Sequence, residues 1–263
     1  MTSLRILFVS FCLVLLGGVV LPSVSANHSW GGYHWARFAN PFTLKLGDNV
    51  STGWDAYLAE ASGDWSLSTA LDTSIVAGNG SKNCKPTPGR IEVCNRKYGN
   101  NGWLGLAQIW TSGTHITQAL AKMNDTYFGS RTYNTPAWKR LVMCQEVAHG
   151  FGLDHQDEAF DNANLGSCMD YTSNPSGPPS NEHPNAHDFE ILEMIYAHLD
   201  DFSTVDEGTS SSGRGGKPEF VDALLEDPSN WGRKVKDNGH VALFEKDFGG
   251  GNKIHTYVIW AKE

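Results

Sequence analysis

Between Cys144 and His155 the chain reads CQEVAHGFGLDH, and this stretch narrows the choice of fold more than any other. It calls for a helix that presents two polar side chains one turn apart, followed by a sharp reversal. Thr135-Pro136 supplies the start, an N-cap residue with proline at the first helical position. Trp138, Leu141, Val142, Gln145, Ala148 and His149 then fall along one stripe, and the helix is expected to stop at Gly150 to Gly152. Gln145 and His149 lie four apart and share a face, with Glu146 one position round. Gly152 lets the chain turn without a Cβ penalty, so that His155 can swing back to the same point. The pattern predicts three converging side chains with a carboxylate beside them.

Glu146, His149, Gly152 and His155 keep the spacing of H-E-x-x-H-x-x-G-x-x-H, and Ser167, Met169 and Tyr171 follow as S-x-M-x-Y. In both respects the chain resembles the metzincin zinc peptidases, over roughly residues 28 to 200. It departs from their pattern where Gln145 stands in place of the first histidine. The resemblance implies an α+β fold: a twisted mixed sheet, an active-site helix behind it, a Met-turn and a closing C-terminal helix. It implies zinc held by Gln145, His149 and His155, Glu146 as general base, and Met169 as the floor beneath the histidines. It gives the Tyr171 hydroxyl a place on the metal at rest and on the oxyanion during reaction. It makes Trp103 to Ala107, with Gly105, Leu106 and Ala107, an edge strand that pairs with extended substrate.

A neutral amide oxygen is a weaker zinc donor than imidazole. Three arrangements follow: a working Gln-His-His site, two histidines plus water with Gln145 nearby, or a metal-free pseudoprotease. The leading expectation is a secreted, monomeric, zinc-dependent endopeptidase acting on polypeptide. The alternatives are an inactive zinc- or protein-binding module and a domain that uses zinc only for stability. Asp154, Asp157, Glu158 and Asp161 are candidates for a structural Ca2+, although they lack EF-hand spacing and read more simply as a solvated acidic loop. His183, His187 and His198 read as surface or capping residues.

The rest of the chain sets the context. Arg5, the apolar run Ile6 to Leu21, and Val24 and Ala26 form a signal peptide over residues 1–26. A membrane anchor would need ~20 apolar residues. A net charge of −9 argues against nucleic acid and anionic membrane as partners. Removal of Cys12 with the signal leaves Cys84, Cys94, Cys144 and Cys168, hence two disulfides in an oxidising compartment. Cys84 and Cys94 flank the loop Gly78 to Gly89 and are expected to pair; a Cys144–Cys168 bridge would pin the following turn beneath the helix. Asn27, Asn49, Asn79 and Asn124 lie in N-x-S/T sequons.

Periodicity places a helix from Asp48, capped by Asp48 or Ser51, with Trp54, Tyr57, Leu58 and Ala61 inward. Strands are expected at Asp72 to Ala77, Arg90 to Asn95 and Trp103 to Trp110; Ile116 to Asn124 suits a helix or a buried strand, and Ala186 to His198 a last helix. The domains are then 27–202, a Ser/Gly-rich linker at 203–217 and a small β-rich extension at 218–263. The extension should hold a short helix at Pro218 to Leu225 and strands at His240 to Glu245 and Ile254 to Trp260, docked on the main body. With no blocking cysteine upstream, the domain is expected to be active as secreted or restrained by its weakened metal site.

Overall fold

A computed structural model describes residues 28–206 and 227–262. The signal segment, the expected short helix and most of the linker lie outside those residues. Phe42, Leu44 and Leu46 alternate with polar neighbours, and this period of two builds a strand, β2 (Phe42–Asn49), with the apolar side chains buried. The expected helix start at Asp48 is therefore corrected. Asp48 still belongs to β2 and its carboxylate accepts from the Val50 N–H; the helix α1 runs Asp55–Trp65 behind a Trp54 N-cap that makes no side-chain bond. Of its expected inward positions, Trp54, Leu58 and Ala61 are buried and Tyr57 is half-buried against the core.

The remaining elements are β1 (His34–Trp35), β3 (Leu71–Ala77), β4 (Arg90–Arg96), β5 (Trp103–Ser112), β6 (His115–Asn124), α2 (Asp125–Phe128), α3 (Pro136–His149), α4 (Ala186–Ile195), β7 (Arg233–Asp237), β8 (Val241–Asp247) and β9 (Asn252–Trp260). The architecture is α+β with one mixed sheet, ordered β3-β2-β4-β6-β5-β9-β8-β7, and β1 beside the start of β6. Strands β2, β3, β4 and β6 are parallel; β5 runs against β6, and β7, β8 and β9 continue antiparallel. The ambiguous Ile116 to Asn124 segment is strand because β4 and β5 flank it on both sides, which buries nearly all of it, Gln118, Lys122 and Asn124 included.

Helix α3 crosses beneath β5 and β6 and packs on α1, where the Trp65 indole donates to the Cys144 carbonyl at 3.2 Å. Both disulfides expected from the sequence form, Cys84–Cys94 and Cys144–Cys168. They suit an oxidising compartment. No helix among the described residues is long and apolar enough to cross a membrane. One sequon is not usable as the structure stands: Asn124 is fully buried, and its amide donates to the carbonyls of Gly99 and Trp103.

Candidate metal and catalytic site

Helix α3 begins as its sequence dictates. Pro136 sits at the first position and the Thr135 hydroxyl accepts from the Trp138 N–H. Thirteen residues on, the chain must leave the helix and double back. Gly152 does this at φ +96°, and a Cβ there would lie 2.0 Å from the Tyr33 carbonyl oxygen, so only glycine fits. The reversal brings the Leu153 carbonyl to the ring of His149 and delivers His155 opposite it.

The two rings meet edge to face. His149 Nε2 and His155 Nε2 are 3.2 Å apart, with ring planes at 86°. The other nitrogen of each ring is committed: His149 Nδ1 lies 2.8 Å from the Leu153 carbonyl and His155 Nδ1 3.3 Å from a Glu158 carboxylate oxygen. Both partners are acceptors only, so both Nδ1 atoms carry the hydrogen. In the neutral tautomers so fixed, the two Nε2 lone pairs face one another, an arrangement suited to a shared cation. Burial, with His155 alongside, holds His149 well below the ordinary histidine range, so His149 stays neutral and keeps its Nε2 lone pair.

Gln145 and Glu146 share the depth of the site; both are fully buried. Neither amide atom of Gln145 and neither carboxylate oxygen of Glu146 has a hydrogen-bond partner. An unpaired buried polar atom costs ~1–3 kcal/mol, more if charged. Four of them on adjacent residues mark a place where a ligand is missing from the count of protein partners. Burial pushes the Glu146 carboxyl well above the carboxylate range. Its oxygens face β5, where a Cβ on Gly105 would come within 2.4 Å of Oε1, so that glycine makes the room the carboxylate occupies.

The turn Ser167–Tyr171 is joined to this stretch through the Met169 carbonyl, which accepts from the Gln156 N–H at 2.7 Å. Met169 is buried, its N–H donates to Ser167 Oγ at 2.8 Å, and Ser167 in turn donates to Asp188 at the capped start of α4. The Cys144–Cys168 disulfide ties this turn to α3. Burial raises the Asp188 carboxyl to about 6. Tyr171 is buried with its ring 6.1 Å from that of His155, but its hydroxyl donates to the His240 carbonyl at 2.9 Å.

That last contact belongs to the C-terminal extension, and it introduces the main correction. The expected edge at Gly105, Leu106 and Ala107 is not an edge. Strand β9 pairs antiparallel along the whole of β5, setting Ile259 opposite Gly105, Val258 opposite Leu106 and Tyr257 opposite Ala107. Leu106 joins Trp103, Trp231, Phe244 and Val258 in an apolar cluster of its own. The Tyr257 ring stacks on His149 at 4.4 Å and 8°, and its hydroxyl donates to Asp154. Trp30 closes a further side, edge-on to both His149 and Tyr257. The extension is fastened around this lid by Lys236 on Glu158 at 2.7 Å and by the Lys262 N–H on the Tyr133 hydroxyl at 2.7 Å.

The acidic loop considered for calcium is engaged with protein groups. Asp157 accepts from the Ala159 N–H and the Asn162 amide, while Asp154 and Glu158 serve Tyr257, His155 and Lys236. Donor atoms of Asp154, His155 and Glu158 do lie within 4.8 Å of one another. Sequence reasoning missed Tyr257, Trp30 and the buried His28, whose Nδ1 donates to the Asp154 carbonyl. Tyr257 alternates with its neighbours in a readable strand, but nothing local tells which strand it will join. No protein-family model matches the chain, and no curated protein is significantly similar to it.

Proposed function

We propose that the protein is a secreted zinc-dependent endopeptidase of metzincin type whose own C-terminal strand covers the substrate edge. The observation that carries the reading is the pair of Nε2 atoms 3.2 Å apart, on a helix whose preceding turn holds the buried, unpartnered side chains of Gln145 and Glu146. Tetrahedral zinc with ligands at ~2.0–2.1 Å sets neighbouring donors about 3.3 Å apart, which the ring pair already matches. Gln145, His149 and His155 would hold the ion, and bound zinc supplies Lewis acidity toward a scissile carbonyl and toward water.

The chain's own groups have distinct tasks in this reading. Glu146 takes a proton from the attacking water at a carboxylate oxygen and returns it to the leaving amine. The Tyr171 hydroxyl, released from the His240 carbonyl, donates to the developing oxyanion. Gly105, Leu106 and Ala107 offer main-chain hydrogen bonds to an extended polypeptide once β9 has left them. Turnover therefore requires displacement of β9, and latency comes from the C-terminal side of the domain.

The covering strand also favours a second reading, a zinc-holding module without catalysis. Metal analysis and a peptidase assay on an unfolded polypeptide separate the two. The measurements use the full chain, and Tyr257→Ala with a specific cleavage site inserted between residues 207 and 226. Zinc in the purified protein, with activity that appears in the opened chain and vanishes with chelator or Glu146→Ala, is the expected outcome. Zinc without activity in either form selects the second reading; a zinc-free His149–His155 pair overturns both.

A further inference from the structure

On another part of the sheet three histidines from distant parts of the chain meet one carboxylate. His34 lies on β1, His115 opens β6, and His198 and Asp200 follow α4. Their strands are in register, His34 standing beside His115 in the β1–β6 pair. Asp200 Oδ1 is 3.2 Å from His115 Nε2, 3.7 Å from His34 Nε2 and 3.9 Å from His198 Nε2. His34 Nε2 and His198 Nε2 are 3.1 Å apart. These four spacings bracket the ~3.3 Å expected between donors on one tetrahedral zinc, and the donors of His34, His115 and Asp200 all lie within 4.8 Å of one another.

The surroundings aim the donors. His34 Nδ1 donates to the Gly32 carbonyl at 2.9 Å, which leaves its Nε2 as a lone pair facing the cluster. Arg37 takes the opposite side of the carboxylate, its guanidinium and its N–H both donating to Asp200 Oδ2 at 3.2 and 3.3 Å. Oδ1 is thereby turned toward the rings. Such partners behind the ligands fix orientation and basicity in protein metal sites. His34 and Asp200 are almost wholly covered, whereas the His198 side chain is 54% exposed, giving an ion a route in.

We propose that His34, His115, His198 and Asp200 form a second, structural Zn2+ site. Three imidazoles and one carboxylate complete four-coordination and leave no open position, so this ion fastens chain segments and takes no part in hydrolysis. It ties the N-terminal strand and the segment after α4 to the head of β6. The site is separate from the α3 pair: Ala107, opposite Tyr257, faces Ala121, roughly 20 Å along β6 from His115. The assignment does not depend on the peptidase reading.

The test counts zinc on the full chain after chelator treatment and refilling with Zn2+, then repeats the titration with Co2+. His149→Ala/His155→Ala is expected to keep one tightly held equivalent, with Co2+ giving the strong visible bands of a tetrahedral nitrogen-rich site. His198→Ala, at an exposed ring whose loss opens no core, is expected to weaken that equivalent at least a hundredfold in either background. His183→Ala, at another exposed histidine, should leave it unchanged. An unaltered zinc count and affinity in His198→Ala overturn the proposal, as does a double variant that folds like the parent and holds no zinc.

Discussion

The two imidazole clusters solve the same problem with opposite resources. At α3, two rings on one short stretch of sequence converge because a helix and a single glycine reversal bring them round. The third donor proposed there is a neutral amide, that of Gln145, and the site is covered by strand β9. At the head of β6 the ligands come from residues 34, 115, 198 and 200, the carboxylate is gripped by Arg37, and one ring reaches solvent. The first cluster is easy to read and poor in donor strength. The second is rich in donors and hidden in the sequence by its separations.

The largest expected effect comes from the hinge that both clusters share. Gly152→Ala drives a Cβ into the Tyr33 carbonyl, next to His34 and at the turn that delivers His155. A loss of at least ~3 kcal/mol is expected from the strained φ and the backbone clash, read by chemical denaturation. Metal binding should suffer at both places; a loss confined to one would show that the clusters are mechanically independent.

Acid should come next. Burial lowers His28 and His255 to about 4. An unfolded chain protonates these rings near pH 6.5, so it binds protons that the folded chain refuses. Stability is therefore full above pH 6.5 and falls as the pH drops toward 4, by on the order of 2 kcal/mol per ring at pH 5. Asp188, raised to about 6, binds protons more readily folded than unfolded and offsets part of this below pH 6. Denaturation midpoints at pH 7 and pH 5 measure the sum, and His255→Gln should flatten the difference. The smallest effect is the most pointed: Gln145→His is expected to tighten zinc at α3 by at least tenfold, about 1.4 kcal/mol, without changing the β6 cluster. No change in a zinc competition titration would place Gln145 away from the metal.

Local signals were legible where one stretch of sequence carries its own geometry. Helix α3 with its Thr135 cap and Gly152 reversal, the strands β3, β4 and β5, and both disulfides follow from spacing and turn chemistry. Strand β2 is missing from the sequence expectations although Phe42, Leu44 and Leu46 alternate, because Asp48 and Ser51 before the helical spacing at Trp54 look like caps and pull the helix start into the strand. Strand β7 is all solvent-exposed and highly charged, so it gives no apolar period to find. Strand β9 was visible as a strand but its partner was not. Pairing of β5 with β9 is a contact between residues about 150 apart, and only the completed sheet chooses between that edge and open solvent. The same holds for His198, which in the bend after α4 looks like any surface histidine.

Strand β5 gains its outer partner only when β9 docks along it. Until then Trp103 to Ser112 presents a ladder of unpaired amides and carbonyls on an apolar strand, the kind of surface to which stray segments add. By pairing with β5, β9 turns that adhesive flank into the interior of a continuous sheet, so the strand that covers the α3 cleft also shields the apolar edge from self-association.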